Sequence, residues 1–312
     1  MTTAWGAPVL ARFPEDPRDR LRAWDASDEY LLRHLDDRQV PLSGTVVVVG
    51  DRWGALVTAL AAHRPTQITD SWLGQEATRA NLARNGVEPG TVRLLTTQDT
   101  PPDRVDVLLV RVPKSLALLE DQLLRLAPAV HEGTVVVGTG MVKEIHTSTL
   151  DLFERILGPT RTSLAERKAR LIHCSPDPAR ERPANPWPYR YALPDGIGPV
   201  SGRTVVNHAG VFCADRLDIG TRFFLRHLPA GPAGSVDLVL NNPPFHSHQA
   251  TTDATARRMF GDARRTLREG GELWVIGNRH LGYHVTLRRL FGNSELVAGD
   301  RKFVVLRAVR RG

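Results

Sequence analysis

Residues 236–246 read VDLVLNNPPFH, and residues 105–115 read VDVLLVRVPKS. Laid side by side, Asp106 falls on Asp237 and Pro113 on Pro244. The likeness continues downstream: HEGTVVVGTG (131–140) lies against REGGELWVIGN (268–278), and TLDLFERILG (149–158) against TLRRLFGN (286–293). A helical stretch separates the first two blocks in each copy. Strand, helix, strand and helix recurring in one order imply two related α/β units in tandem.

The surrounding text fills in the first unit. TVVVVG (45–50) reads as a buried strand, WGALVTALAAH (53–63) as the helix after it, and QITD (67–70) as a short second strand. SWLGQEATRANLARNG (71–86) is a helix that stops at glycine. VDVLLVRV (105–112), TVVVG (134–138), ELWVIGN (272–278) and KFVVLRAV (302–309) are further strands. Strands alternating with helices give a largely parallel sheet. SPDPARERPANPWPYRYALPDGIGP (175–199) is Pro-rich and aperiodic, as a linker would be. The expected organisation is a domain over 1–174, a linker over 175–199 and a second domain over 200–312.

Composition narrows the class. The chain has 312 residues, 41% hydrophobic and 24% charged, in the range of globular proteins. No apolar run reaches the length of a membrane span. The first residues, MTTAWGAPVLARFPEDPRDR, have no apolar core after a basic start, so no signal peptide is expected and the location is expected to be cytoplasmic. The 2 cysteines, Cys174 and Cys213, form no CxxC and suggest neither a disulfide framework nor a zinc site. The net charge is +7, and residues 251–312 hold 13 Lys and Arg against 6 Asp and Glu, which accounts for all of it. A basic segment of this kind suits a polyanion such as RNA, with Arg257, Arg258, Arg264 and Arg265 as the candidate contacts. A solvated basic surface is the plainer alternative.

The second unit's corner carries the chemistry. Pro243 and Pro244 lack a backbone N–H and end the strand abruptly, at the carboxyl edge where open α/β sheets bind ligands. Asn242 offers a side-chain carbonyl, Pro243 a backbone carbonyl, and Phe245 a flat apolar face. Two acceptors and a ring suit an exocyclic amine on an aromatic base, with its lone pair turned toward the methyl of S-adenosylmethionine. A base inside a duplex is out of reach, so it must be unpaired or flipped out. A plain turn after a strand is the competing reading, since Asn-Pro commonly opens turns. His246 and His248 form an H-x-H pair, but no carboxylate or cysteine stands at ligand spacing, and no metal is expected.

With their surroundings, these residues resemble the rRNA guanine-N2 methyltransferases, the RsmC and RlmG group. GVFCADRLDIGTRFFLRHLP (210–229) looks like the segment that lines the cofactor's methionine end, NNPPFHSHQ like the catalytic corner, and GELWVIGNRHLGYHVTLRRLFG and KFVVLRAV like the last strands. LRAWDASDEYLLRHL (21–35), DRWGALVTALAAH (51–63), VRVPKSLALLE (110–120) and ERKARLIHC (166–174) match in the first half and favour the large-subunit branch. The resemblance implies tandem Rossmann-like class I methyltransferase domains, the first without catalysis. It also implies Asn242, Pro243, Pro244 and Phe245 as the catalytic residues, Phe212, Asp218, Gly220 and Thr221 on the cofactor, and ribosomal RNA as substrate.

The same resemblance exposes a gap. Family members carry a Gly-rich loop and an acidic residue, one strand apart, between the leading segment and the catalytic strand. Here the text runs RHLPAGPAGSVDLVL. The first copy spends residues 45–104 on the corresponding part, so the second is expected to lack about three strands near Gly234–Ser235. The chain as written is therefore expected to bind S-adenosylmethionine weakly or not at all. The first copy offers no replacement, because its loop GDRWG places Arg52 and Trp53 where a ligand would approach the backbone, although Asp70 follows its second strand. The competing functions are a guanine-N2 rRNA methyltransferase, a catalytically inactive RNA-binding relative of one, and a poorly folding product with an open sheet edge.

Overall fold

The structure is a computed structural model and describes residues 1–198, 200–227, 237–243 and 249–311. It divides into two compact units, Met1–Trp187 and Pro188–Gly312.

The first unit runs α1 (Ala26–Asp37), β1 (Val46–Val49), α2 (Ala55–Ala59), β2 (Thr66–Thr69), α3 (Trp72–Arg84), β3 (Arg93–Thr96), β4 (Val105–Arg111), α4 (Leu116–Leu126), β5 (Val130–Met141), α5 (Thr147–Ile156), β6 (Thr160–Thr162) and β7 (Ala169–Cys174). Asp25 starts α1 with a reciprocal cap: its side chain accepts from the Ser27 N–H, and Asp28 reaches back to the Asp25 N–H. Every residue of β1 is buried, as a strand covered on both faces requires. The sheet order is β3-β2-β1-β4-β5-β7-β6, with β7 antiparallel to both neighbours and the other pairs parallel. Leu119, Leu123, Phe153 and Ile156 pack on one face of this sheet, and Leu31, Leu35, Leu56 and Leu60 belong to the core on the other.

The second unit runs β8 (Tyr189–Ala192), β9 (Thr204–Asn207), α6 (Ile219–Leu225), β10 (Leu238–Asn241), α7 (Gln249–Thr266), β11 (Glu272–Asn278), α8 (Tyr283–Phe291), β12 (Glu295–Gly299) and β13 (Phe303–Val309). β8 and β9 pair as an antiparallel ribbon, so the Pro-rich stretch 175–199 contributes a strand where YRYA supplies β-favouring side chains. The main sheet has the order β10-β11-β13-β12.

These four strands repeat β4-β5-β7-β6 in register. Val107 pairs with Val135, and Leu238 with Glu272. Val136 pairs with Cys174, and Leu273 with Ala308. Thr162 pairs with Ile172, and Leu296 with Leu306. Single offsets relate each strand of one unit to its counterpart, so the tandem repeat read from the sequence is a repeat of structure. Even a polar contact recurs: His131 Nε2 lies 3.1 Å from Asp106 Oδ1, and in the second copy Arg268 Nε lies 2.7 Å from Asp237 Oδ2. Among the described residues, β1, β2 and β3 have no counterpart in the second unit.

Candidate active site

β10 ends in two asparagines with different environments. Asn241 is 5% exposed, and its Oδ1 has no hydrogen-bond partner among the described residues. Asn242 is exposed, and Pro243 after it is buried. Pro244 and Phe245, the rest of the expected corner, lie outside the described residues, as do His246 and His248. Asn241 escaped the sequence reading; the doubled asparagine was its only signal.

α6 brings the expected cofactor residues to this corner. Asp218 caps the helix by accepting from the Thr221 N–H at 2.9 Å, and its Oδ2 also accepts from the Thr221 hydroxyl at 3.3 Å. With its proton turned to Asp218, the hydroxyl accepts from Asn242 Nδ2 across a long 3.4 Å. The amide nitrogen is thus engaged, which leaves Oδ1 as the acceptor atom of the Asn242 side chain. Gly220 is buried, and a Cβ there would lie 3.0 Å from Asp218 Oδ2 and 3.2 Å from the Phe303 ring, so a side chain at this point would make those neighbours shift by a few tenths of an ångström. Phe212 is 63% exposed. The structure therefore brings Asp218, Thr221 and Asn242 together.

The four arginines lie on α7. Ala256, Phe260, Ala263 and Leu267 bury a helical stripe, which leaves Arg257, Arg258, Arg264 and Arg265 exposed. Arg265 pairs with Asp262 within the helix.

The equivalent corner of the first unit is closed. Arg111 stands where Asn242 stands, is 1% exposed, and binds Asp25 at 2.6 Å, Glu144 at 3.1 Å and Asp28 at 3.2 Å. Burial opposes ionisation of Asp25, but Arg111, Ser27 and Arg52 outweigh it and hold the carboxyl below its usual range. Burial dominates at Asp28 and lifts it to about 7 against the pull of Arg111. The loop after β1 is closed as well. The buried Asp51 carboxylate accepts from the N–H groups of Ala55, Leu56 and Val57 at 2.9–3.0 Å, taking donors that an anionic ligand would otherwise use. Gly54 has φ +77°, and a Cβ there would lie 2.6 Å from Thr78 Oγ1. The Asp51 carboxylate and the buried Arg111 thus take the backbone donors of the loop and the position at the strand end that corresponds to Asn242.

The family model described as the RLMG N-terminal domain matches residues 1–178. A Streptomyces coelicolor protein named "Ribosomal RNA large subunit methyltransferase G" is 70% identical over 376 residues, covering 99% of this chain and 100% of that one. The chain belongs to the ribosomal RNA large subunit methyltransferase G family. An Aeromonas hydrophila protein of the same name is 39% identical over 383 residues, covering 100% of this chain and 99% of that one. The Thermus thermophilus 16S rRNA N2 G1207 methyltransferase RsmC, solved with AdoMet and guanosine, superposes with a TM-score of 0.66 at 16% identity, covering 98% of each chain. That likeness confirms the class I Rossmann-like fold.

The same matches locate the gap. The alignment to the Streptomyces coelicolor relative spans 376 residues against the 312 of this chain, so at least 64 of its positions have no counterpart here. The methyltransferase small domain model matches in two pieces, 202–236 and 230–307, which meet around the expected Gly234–Ser235 junction. A cofactor fit can be judged from what remains. Asp218 and Thr221 could reach a methionine end, but the described second unit has neither the strand-to-helix loop nor the acidic strand end that would hold an adenosine. The residues present do not fit S-adenosylmethionine as a whole.

Proposed function

We propose that Asn242, Pro243, Pro244 and Phe245 present the exocyclic N2 of an unpaired guanine in large-subunit ribosomal RNA, the amine that S-adenosylmethionine methylates in this family's chemistry. The chain as it stands carries the base-presenting half of that machinery without the cofactor-holding half. It binds rRNA, in the cytoplasm, and turns over only when the missing segment is supplied. The supporting observation is the sheet order: β10-β11-β13-β12 repeats β4-β5-β7-β6, and among the described residues no strand stands beside β10 where the cofactor strands would begin.

Asn242 contributes an oriented carbonyl, held by Thr221, that accepts one amine hydrogen. The Pro243 carbonyl accepts the other, and the stiff corner keeps both aimed without an ordering cost on binding. Calorimetric titration of the purified chain with S-adenosylmethionine tests this reading, beside a version carrying the relatives' segment between Gly234 and Ser235. Each charge-assisted hydrogen bond lost is worth roughly 1.5–3 kcal/mol. Two or three such losses take a micromolar site to millimolar or weaker, since about 1.4 kcal/mol is a factor of ten. The restored version is expected to bind at micromolar concentration and to methylate protein-free rRNA. Micromolar binding by the unmodified chain would show that the pocket lies elsewhere.

A further inference from the structure

The first unit has a groove of about 670 Å³ at the carboxyl ends of β1 and β4, the place in the fold where the second unit has its corner. Its floor contains Asp25 and Asp28, both already bound to the buried Arg111. Arg111, shared with Glu144, and Arg52 beside Asp25 offset part of their charge from behind. The rim carries Arg20, Arg22 and Lys114, all exposed and without a carboxylate partner among the described residues. The wall carries two indoles, each with a guanidinium over it: Arg12 stands 5.1 Å from the Trp53 ring and Arg22 stands 5.7 Å from the Trp24 ring.

This pairing of parts has a specific chemistry. Guanidinium planes and indoles are stacking platforms for unpaired bases, and free cations at a groove rim hold phosphates. An apolar ligand would leave the rim cations unused, and a simple anion would not need the indoles. We propose that this groove holds a non-reacting, unpaired stretch of the substrate rRNA, with a base stacked on the Arg12–Trp53 pair and phosphates on Arg20, Arg22 and Lys114. The closed corner of the first unit thus keeps a nucleotide-holding role after losing any catalytic one. The identity of the ligand as rRNA rests on the proposed function; the location of the site does not.

The test uses the full chain and a fluorescein-labelled 12-nucleotide single-stranded RNA, with affinity measured by anisotropy over a range of KCl concentrations. The slope of log affinity against log salt is about −0.7 per phosphate contacted on a single strand. Arg20→Gln, Arg22→Gln and Lys114→Gln combined should therefore flatten it by about 2 units. These side chains are exposed, so the fold should survive. Trp53→Ala should weaken binding roughly 5- to 150-fold, the equivalent of about 1–3 kcal/mol per stacked base. A 12-base-pair duplex should compete poorly. A combined variant of Arg257→Gln, Arg258→Gln, Arg264→Gln and Arg265→Gln reports on the second unit separately. If that variant flattens the slope while the rim variant leaves slope and affinity unchanged, the groove is not an RNA site and the proposed function stands. Equal competition by the duplex would overturn the stacking role. No measurable binding of the RNA by the unmodified chain would overturn both readings.

Discussion

Asn242 and Thr221 are joined across 3.4 Å, the amide of one donating to the hydroxyl of the other, and this contact ties the end of β10 to the first turn of α6. Thr221 can accept because its own proton goes to Asp218 at 3.3 Å. Thr221→Val keeps the shape and removes the acceptor, so the Asn242 amide loses its fixed orientation. In the segment-restored version, Thr221→Val should lower kcat several-fold with KM for RNA nearly unchanged. Asn242→Ala should cost roughly 10- to 100-fold, corresponding to about 1.4–3 kcal/mol for a lost orienting hydrogen bond. Single-turnover kinetics at saturating RNA separate the two. Unchanged rates in both variants would remove Asn242 from the reaction.

Arg111 predicts a stability effect in the first unit. It is buried, and three carboxylates surround it. Arg111→Met leaves these acids without their main counter-charge, and breaking a buried pair from one side costs about 3–5 kcal/mol. Urea unfolding followed by tryptophan fluorescence should show a loss of this size. A loss below about 1 kcal/mol would mean that water or Arg52 already neutralises the cluster.

The histidine pair of the same unit predicts a pH dependence. The His34 and His173 rings lie 4.8 Å apart. Burial, His34 and the nearby Arg161 and Arg38 press His173 down to about 4, and burial also lowers His34. An unfolded histidine titrates near 6.5, so between roughly 6.5 and 4 the unfolded chain binds the proton that the folded chain refuses. The contribution to stability is full above about 6.5 and is lost as the pH falls toward 4. Urea midpoints at pH 7.5 and pH 5 should therefore differ less in His173→Asn than in the parent. An equal difference would show that other groups control this window.

Much of this was legible in the sequence, for a physical reason. Buried parallel strands such as TVVVVG and VDVLLVRV are continuous apolar runs, and a repeated run with a repeated aspartate fixes a shared register. The expected absence of about three strands came from the family resemblance, and the first copy supplied the size of the missing part. β3, β6, β9, β12 and the YRYA strand were missed because short, partly exposed strands carry little apolar signal, and β7 because Arg170 and His173 interrupt its apolar run. The Arg111 cluster was missed because its acids come from positions 25, 28 and 144, which only folding brings together. Asn242 and Thr221 could be named separately, whereas the proton arrangement linking them through Asp218 is a matter of geometry.

The shortened sheet makes a last prediction about solution behaviour. In the first unit β4 is paired on both sides, by β1 and β5, and nearly all of it is buried. Its counterpart β10 pairs with β11 alone among the described residues, and Leu240 on it is 47% exposed. A strand built for the middle of a sheet, placed at its edge, offers unpaired N–H and C=O groups beside apolar side chains and invites pairing with other chains. Light scattering against protein concentration should show self-association of the unmodified chain. Leu240→Lys places a charge on that edge and should suppress it, the remedy that natural edge strands use. Restoring the missing segment should suppress it equally, because a strand in the position of β1 would cover the same edge. A chain that stays monomeric at high concentration would show that the edge is already covered.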